Sequence, residues 1–415
     1  MRSGNRARGV HRRRGAAALV AAGLLAVTPG IAGGAAPVAE AQIPFAPVYE
    51  GVLAGDLVMA ANSNLLSAGG WRRTAAADVD GDASRLCLGR LFVRGDCADN
   101  SSSAVLDIPA GARIVHARLY VQASLSSAYG PMRVRLDGPA DGFTYTEIGP
   151  ATTAVPQLAE GSAAAGRTGP TMRQAVWDVT EFVAAAGSGT YTVADIVHER
   201  AGAFMPYASW AIVAAYEFDP AADLALVAPT PEAQQRFAPR AVSWHDGFVA
   251  RADAPVEVPV NGFVVDATVP VFAKSFHVVG HAPHRGAENL LFNGKPIGNN
   301  APPGAAATPA GVTLGIDAAC NSISDVLNDS ICHLGSPVAT KTPGAAEFVA
   351  VRDGRTPTSG SAVDMDVVRI PDRYFLPGAT SATLSVDAAG DDVVAVGMLA
   401  VSVDLPPQTP LGTAP

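Results

Sequence analysis

RIVHARLYVQA, residues 113–123, alternates between side chains that suit a buried face and side chains that suit a polar one. Successive side chains of a β-strand point to opposite faces, so this pattern predicts a strand. The alternation recurs in segments bounded by Gly, Pro, Asp or Asn, which are 190–197, 208–218, 256–271 and 392–405. With 42 Gly, 32 Pro and only 6% aromatic residues, the chain predicts an all-β fold of short strands and turns.

The two halves of the chain contain predicted strands and turns in a similar order. We therefore expect two consecutive β-sandwich domains of jelly-roll type, at residues 42–220 and 241–405. A Pro-containing linker at 221–240 would join them, and a tail at 406–415 would follow. A single large sandwich with long insertions is the alternative. The one helical turn that we predict lies at 178–186, DVTEFVAAA, and is closed by Gly187.

Residues 1–41 resemble an export signal. Six Arg between positions 2 and 14 precede an apolar run at 16–27, which is too short to span a bilayer. Ala39-Glu40-Ala41 offers small residues to a signal peptidase, which would leave Gln42 as the first mature residue. We therefore expect a secreted, extracellular protein with no membrane span in the mature chain. A membrane-anchored N-terminus is the alternative, which the Gly- and Pro-containing segment after Leu25 disfavours.

The charge balance is acidic. The net charge is −9 for the whole chain and −14 without residues 1–41, which contain six Arg and one Glu. An acidic surface repels phosphate groups, so nucleic acids and anionic lipids are disfavoured as partners.

The four cysteines form two local pairs. Cys87 and Cys97 bracket nine residues, and Cys320 and Cys332 bracket eleven. In an exported chain, adjacency favours the disulfides 87–97 and 320–332, each of which would contribute roughly 2–3 kcal/mol. Zinc binding is the rival interpretation, but neither pair has the C-x2-C spacing of common zinc sites.

Asp78, Asp80 and Asp82 alternate in DVDGD, as do the first ligands of a calcium loop. An EF-hand is excluded, because it requires Gly at its sixth position and Glu at its twelfth, where this chain has Ala83 and Gly89. A calcium site of another type stays open. The simpler alternative is an acidic turn whose carboxylates accept hydrogen bonds from backbone amides.

The remaining candidates for chemistry are sparse. His277, His281 and His284 fall within eight residues and could bind zinc or nickel, although loop histidines are the favoured interpretation. Of the four tryptophans, we expect Trp210 to be a core residue and Trp71 to be exposed. The sequence contains no G-x-S-x-G motif, P-loop or dinucleotide fingerprint. Carboxylate pairs of the glycosidase type need not be close in sequence, so they stay open.

The order of several motifs resembles a known family. DVDGD (78–82) is followed by NSSSAVL (100–106), IPAGA (108–112) and a strand beginning A-x-L-Y. This order is similar to the β-rich N-terminal region of bacterial secreted and cell-surface proteins, a type that often precedes DUF11-like surface repeats. The resemblance implies a surface location and a β architecture, but no reaction. The Cys87–Cys97 segment, which separates the acids from the Asn-Ser-Ser tract, is a departure from the family's usual pattern.

Together these observations favour a secreted, non-enzymatic protein associated with the cell surface or envelope, with an adhesion or structural role. Its partner would be an envelope or extracellular glycan or protein, and no cofactor other than calcium is indicated. The alternative is a calcium-dependent carbohydrate-binding module or a secreted glycosidase.

Overall fold

Antiparallel β-strands dominate this computed structural model, which describes residues 43–67, 74–76, 79–80, 100–124, 132–140, 142–149, 172–198, 208–219, 238–251, 255–266, 268–280, 289–298, 332–333, 336–337, 363–387 and 394–405. The first half contains β1 (Ile43–Leu53), β2 (Gly55–Ser63), β3 (Leu65–Ser67), β4 (Thr74–Ala76), β5 (Ser101–Leu106), β6 (Ala112–Ser124), β7 (Val134–Asp137), β8 (Thr146–Ile148), β9 (Met172–Asp178), β10 (Gly189–Ala194) and β11 (Ala208–Phe218). The second half contains β12 (Arg240–Arg251), β13 (Val256–Asn261), β14 (Ala273–Gly280), β15 (Asn289–Phe292), β16 (Lys295–Pro296), β17 (Cys332–His333), β18 (Ser336–Pro337), β19 (Val363–Ile370), β20 (Ser381–Asp387) and β21 (Val394–Asp404).

Eight strands of the first half form a jelly roll. One sheet has the order β2-β11-β6-β9, and the other has the order β5-β10-β7-β8. In both sheets the last strands of the sequence pair beside the first ones, which is the strand order of a jelly roll. Strands β3 and β4 form a separate two-stranded sheet. The predicted all-β, sandwich-type fold is therefore confirmed.

The second half repeats this order strand for strand. The sheet β12-β21-β14-β19 corresponds to β2-β11-β6-β9, and the sheet β13-β20-β15-β16 corresponds to β5-β10-β7-β8. Strand β1 extends the first of these sheets at one edge, and β17 with β18 extends it at the other, giving seven strands. The weak repeat in the sequence thus reflects a repeated topology.

The first described strand crosses from one half to the other. β1 lies within residues 42–220, which we predict to be the first domain, but it pairs antiparallel with β12 of the second sandwich from Ile43 to Leu53. Residues Glu40–Pro415 form one compact unit. Within that unit, β1 belongs to the sheet of the second sandwich, although it precedes all strands of the first sandwich in the sequence.

In the part of the chain that the structure describes, three apolar cores separate four layers of sheet. The first core contains Trp177 and Trp210 between the two sheets of the first sandwich, and another fills the second sandwich around Phe292. A third core joins the sandwiches, because residues of β2-β11-β6-β9 such as Tyr120 cluster with residues of β12-β21-β14-β19 such as Trp244. We call this layer the central interface. It buries the outer face of one sheet from each sandwich.

Polar side chains interrupt the central interface where the backbones approach each other closely. Gln122 Nε2 donates a hydrogen bond to Gln174 Oε1 at 2.8 Å, and Gln174 Nε2 donates to the Gly247 carbonyl oxygen at 2.8 Å. A Cβ atom at Gly397 would overlap both glutamine side chains. Glycine at position 397 therefore gives the two buried amides the space in which they pair.

Local signals in the sequence account for the turns. The predicted helix forms as α1 (Thr180–Ala186), and Gly187 ends it with a φ of 77°. Asn293 and Gly294, with φ values of 51° and 71°, form the two-residue turn of the hairpin β15–β16, as an Asn-Gly pair predicts. Among the described residues, no helix has the length and apolar character needed to cross a membrane.

Candidate functional site

Val79 and Asp80, the described residues of the acidic motif, lie beside the Asn-Ser-Ser tract on the outer face of the sheet β5-β10-β7-β8. The hydroxyl oxygen of Ser101 accepts hydrogen bonds from the backbone amides of Val79 and Asp80, at 2.9 and 3.3 Å. The same hydroxyl donates to Asp80 Oδ1 at 2.9 Å. Ser101 of the Asn-Ser-Ser tract therefore connects that tract to Val79 and Asp80 of the acidic motif.

Asp80 also contacts the strands at the sheet edge. The hydroxyl of Tyr145, which precedes β8, donates to Asp80 Oδ2 at 2.7 Å. Arg135 on β7 lies over the Tyr145 ring, 4.5 Å from its centroid, and pairs with the carboxylate of Asp195 at 2.5 Å. Phe143 stacks on Tyr145 with a centroid separation of 5.9 Å and an interplanar angle of 8°. We call these five residues the aromatic–acidic patch.

The electrostatics of the patch keep Tyr145 protonated. Burial raises the pKa of Tyr145 far above its ordinary value, and the hydrogen bond to Asp80 and the Asp80 charge raise it further. The phenol therefore stays a hydrogen-bond donor at every physiological pH. Phe143 is 48% exposed, so the patch presents an apolar ring to solvent beside fixed charges.

A buried polar network supports the patch from beneath. Asn64 Nδ2 donates to Asn100 Oδ1 at 2.7 Å, and the Ser102 hydroxyl donates to Asn64 Oδ1 at 2.5 Å. The indole of Trp210 donates to the Ser102 hydroxyl at 2.8 Å. Because all four side chains are buried and hydrogen-bonded, the network fixes the start of β5 in position. Trp210 lies in the core, as its alternating strand predicts.

The structure places only part of the predicted calcium site. Asp80 accepts hydrogen bonds from the Ser101 hydroxyl and the Tyr145 phenol, whereas the simpler interpretation expected backbone amides as the donors. Asp78 and Asp82 lie outside the described residues, so a calcium site formed by the three acids stays a prediction. Cys87, Cys97, Cys320 and Trp71 also lie outside them, and the side chain of Cys332 is not described. Both predicted disulfides stay predictions for the same reason.

The histidine cluster is resolved at one of its three members. His277 is fully buried on β14, while His281 and His284 lie outside the described residues. The partners of His277 come from β19 instead: Asp366 is its neighbour across the strand pair, and Asp364 is opposite Val279. Sequence reasoning missed these two acids. The signal was present in VDMDVV, residues 363–368, where two acids alternate within an apolar strand.

A cavity lies in the second sandwich, apart from the aromatic–acidic patch. A cavity of about 190 Å³ is bounded by Phe263 to Asp266, Val269 to Phe272 and Val403 to Leu405. Its walls are mainly apolar, and Asp266 and Asp404 are the acids among its lining residues. Phe272 is 41% exposed.

The comparisons with known proteins give no family. No family model matches the chain, and no curated protein matches it. Among solved structures, PNGase F, a glycosylasparaginase from Flavobacterium meningosepticum, is 9% identical over 76% of this chain and 94% of its own, with a TM-score of 0.18. Infectious bursal disease virus, Gt strain, is 13% identical over 87% and 70%, with a TM-score of 0.16. Such low TM-scores support no inference about the function of this chain.

Proposed function

We propose that this chain is an exported, non-enzymatic protein of the cell surface or envelope that acts in adhesion. The signal-like N-terminus, the acidic charge and the all-β sandwich fold support an extracellular role. The resemblance to N-terminal regions of bacterial surface proteins agrees with it. The partner that we propose is an extracellular or envelope glycan or protein.

The observation that carries the proposal is the aromatic–acidic patch. Aromatic rings that are exposed yet held rigidly are typical anchors of recognition surfaces. Phe143 is stacked on Tyr145, which is itself held by Asp80, so binding a partner would cost little side-chain ordering. The outer sheet that carries the patch is braced by the rest of the first sandwich.

A calcium-dependent carbohydrate-binding module is the second candidate, and the same patch favours it. Sugar rings pack against exposed aromatic faces, and Asp80 belongs to the acidic turn that we predict as a calcium site. In this version, calcium held by Asp78, Asp80 and Asp82 would contact sugar hydroxyls beside Phe143. Dependence on calcium therefore distinguishes the two candidates.

A binding experiment tests both. Beads coated with the exported chain would be applied to an array of immobilised glycans and to isolated bacterial envelopes, with calcium or with EDTA. We expect retention that Phe143→Ala reduces by about tenfold, since loss of an aromatic anchor typically costs more than 1 kcal/mol of binding energy. Retention lost in EDTA would favour the carbohydrate-binding module.

Val105→Ala is the matched control. Val105 is also exposed, at 62%, and lies on β5 of the same sheet, but it is outside the patch. Its replacement should leave retention unchanged. Equal retention by the Phe143→Ala variant and the parent chain would refute the role of the patch, and no retention on any surface would refute adhesion.

A further inference from the structure

Two acids and a histidine converge inside the second sandwich. His277 on β14 pairs in register with Asp366 on β19, and Asp364 lies two residues earlier on the same strand. All three side chains are fully buried. Their neighbours Phe276 and Met365 point into the central interface, so the three polar side chains share the opposite face, toward the sheet β13-β20-β15-β16.

The spacing of their polar atoms suits a metal ion. One nitrogen of His277 and one carboxylate oxygen from each acid all lie within 4.8 Å of one another. His277 Nε2 is 3.3 Å from Asp366 Oδ2. Two ligands bound at about 2.0–2.2 Å in tetrahedral geometry would be roughly 3.3–3.6 Å apart. The separation of His277 and Asp366 already falls within this range, and the oxygen of Asp364 lies near enough to join them after a small side-chain movement.

The histidine itself points to a ligand. Within the described part of the chain, neither ring nitrogen of His277 meets the geometry of a hydrogen bond, although both are buried. A buried imidazole without such a bond has lost its hydrogen bonds to water without replacement, and metal coordination would remove this penalty.

We propose that His277, Asp364 and Asp366 bind one divalent transition-metal ion, with Zn²⁺ as the best fit. In the forms in which these groups usually bind metals, one imidazole and two carboxylates would carry a charge of −2, which a divalent cation would balance. Nitrogen ligands favour zinc over calcium and magnesium, which prefer oxygen ligands throughout. This proposal does not depend on the adhesive function.

The position of the site indicates a structural role for the ion. β14 and β19 are adjacent strands of the seven-stranded sheet, and the ion would tie them together through side chains from both. Fully buried ligands provide no path for a substrate. The ion would therefore stabilise the folded chain. Three protein ligands would leave its fourth position to a water molecule.

Metal analysis of the untagged chain from Gln42 to Pro415 tests the proposal. The chain would be stripped with a chelator, dialysed against Zn²⁺, Mn²⁺ or Ca²⁺, and analysed for bound metal by mass spectrometry and for its melting temperature. We expect about one equivalent of zinc that remains after gel filtration, and a melting temperature raised by about 3–5 °C. Less than a tenth of an equivalent of zinc and manganese would overturn the proposal.

Variants assign the metal to these residues. His277→Gln should lose the bound zinc, whereas His245→Gln should retain it, because His245 is also buried on this face of the sheet but lies beside Glu50. Absorption bands of Co²⁺ bound to the wild-type chain give a second readout that needs no variant to fold. Visible bands typical of nitrogen and oxygen ligation are expected. Retention of zinc by the His277→Gln variant, or a cobalt spectrum of hexa-aqua type, would contradict the assignment.

Discussion

Replacement of Asp56 by Asn is expected to lower the free energy of unfolding by about 3–5 kcal/mol, the usual effect of removing one partner from a buried ionic cluster. Asp56 is the second residue of β2, and its side chain is buried, with a relative exposure of 4%. Lys274 Nζ donates to its Oδ2 at 2.5 Å, and the Ser402 hydroxyl donates to its Oδ1 at 2.6 Å. Arg240 Nε lies 3.4 Å from the same carboxylate.

The Asn side chain is neutral, so it would no longer balance the positive charges of Lys274 and Arg240 in the interface. Arg240 keeps Asp404, at 2.5 Å, but Lys274 loses the carboxylate that it contacts. Burial would raise the pKa of Asp56, but Lys274 and Arg240 hold it below its ordinary value of 3.8. The stabilisation is therefore complete above that value, and it is lost as the pH falls through the lowered pKa.

Urea unfolding of both proteins measures the effect. The difference between parent and variant should be constant near neutral pH and shrink in strong acid. Asp107→Asn is the control, because Asp107 is exposed and lies just beyond β5, and it should change stability by less than about 0.5 kcal/mol. Similar losses for the two variants would contradict the role of the cluster.

Trp244→Ala is expected to lower the free energy of unfolding by about 3–5 kcal/mol, because it empties the centre of the central interface. Trp244 is fully buried on β12, and its indole donates a hydrogen bond to the Tyr120 hydroxyl of the first sandwich at 2.9 Å. Its ring also lies 5.4 Å from that of His116. The substitution would leave the Tyr120 hydroxyl without this donor and create a large cavity between the sheets.

Calorimetry would show whether this interface joins the sandwiches. We expect one unfolding transition in the parent chain and a lower midpoint for the whole of it in the variant. Val52→Ala on the neighbouring strand β1 is the control, since Val52 is 54% exposed and should change the midpoint little. If only part of the transition moved, the two sandwiches would be independent and the central interface would contribute little to stability.

The strands could be predicted from the sequence because one buried face imposes a period of two. The central interface could not, because alternation predicts one buried face, whereas strands of this interface are buried on both faces. β11 reads ASWAIVAAYEF, and nearly every one of its residues is buried between two cores. A continuous apolar run of this kind indicates burial on both sides, which points to a further layer of sheet. The pairing of β1 with β12 has no local signal at all.

The candidate sites show the same limit. The contact between Ser101 and Asp80 lies within a motif order visible in the sequence, although the donors that we predicted for the acid were backbone amides. Tyr145 is 65 residues from Asp80, and Asp366 is 89 residues from His277, so both partners depend on strand pairing. Residue type alone predicts that an acid or a histidine needs a partner, and topology decides which one it meets.

The location of the chain in its producing cell tests the central claim most directly. Intact cells would be immunolabelled, and the N-terminus of the chain recovered from the envelope and medium would be sequenced. We expect label outside the cytoplasmic membrane and a mature chain that begins at Gln42. A cytoplasmic chain that retains residues 1–41 would contradict the proposal of an exported adhesive protein.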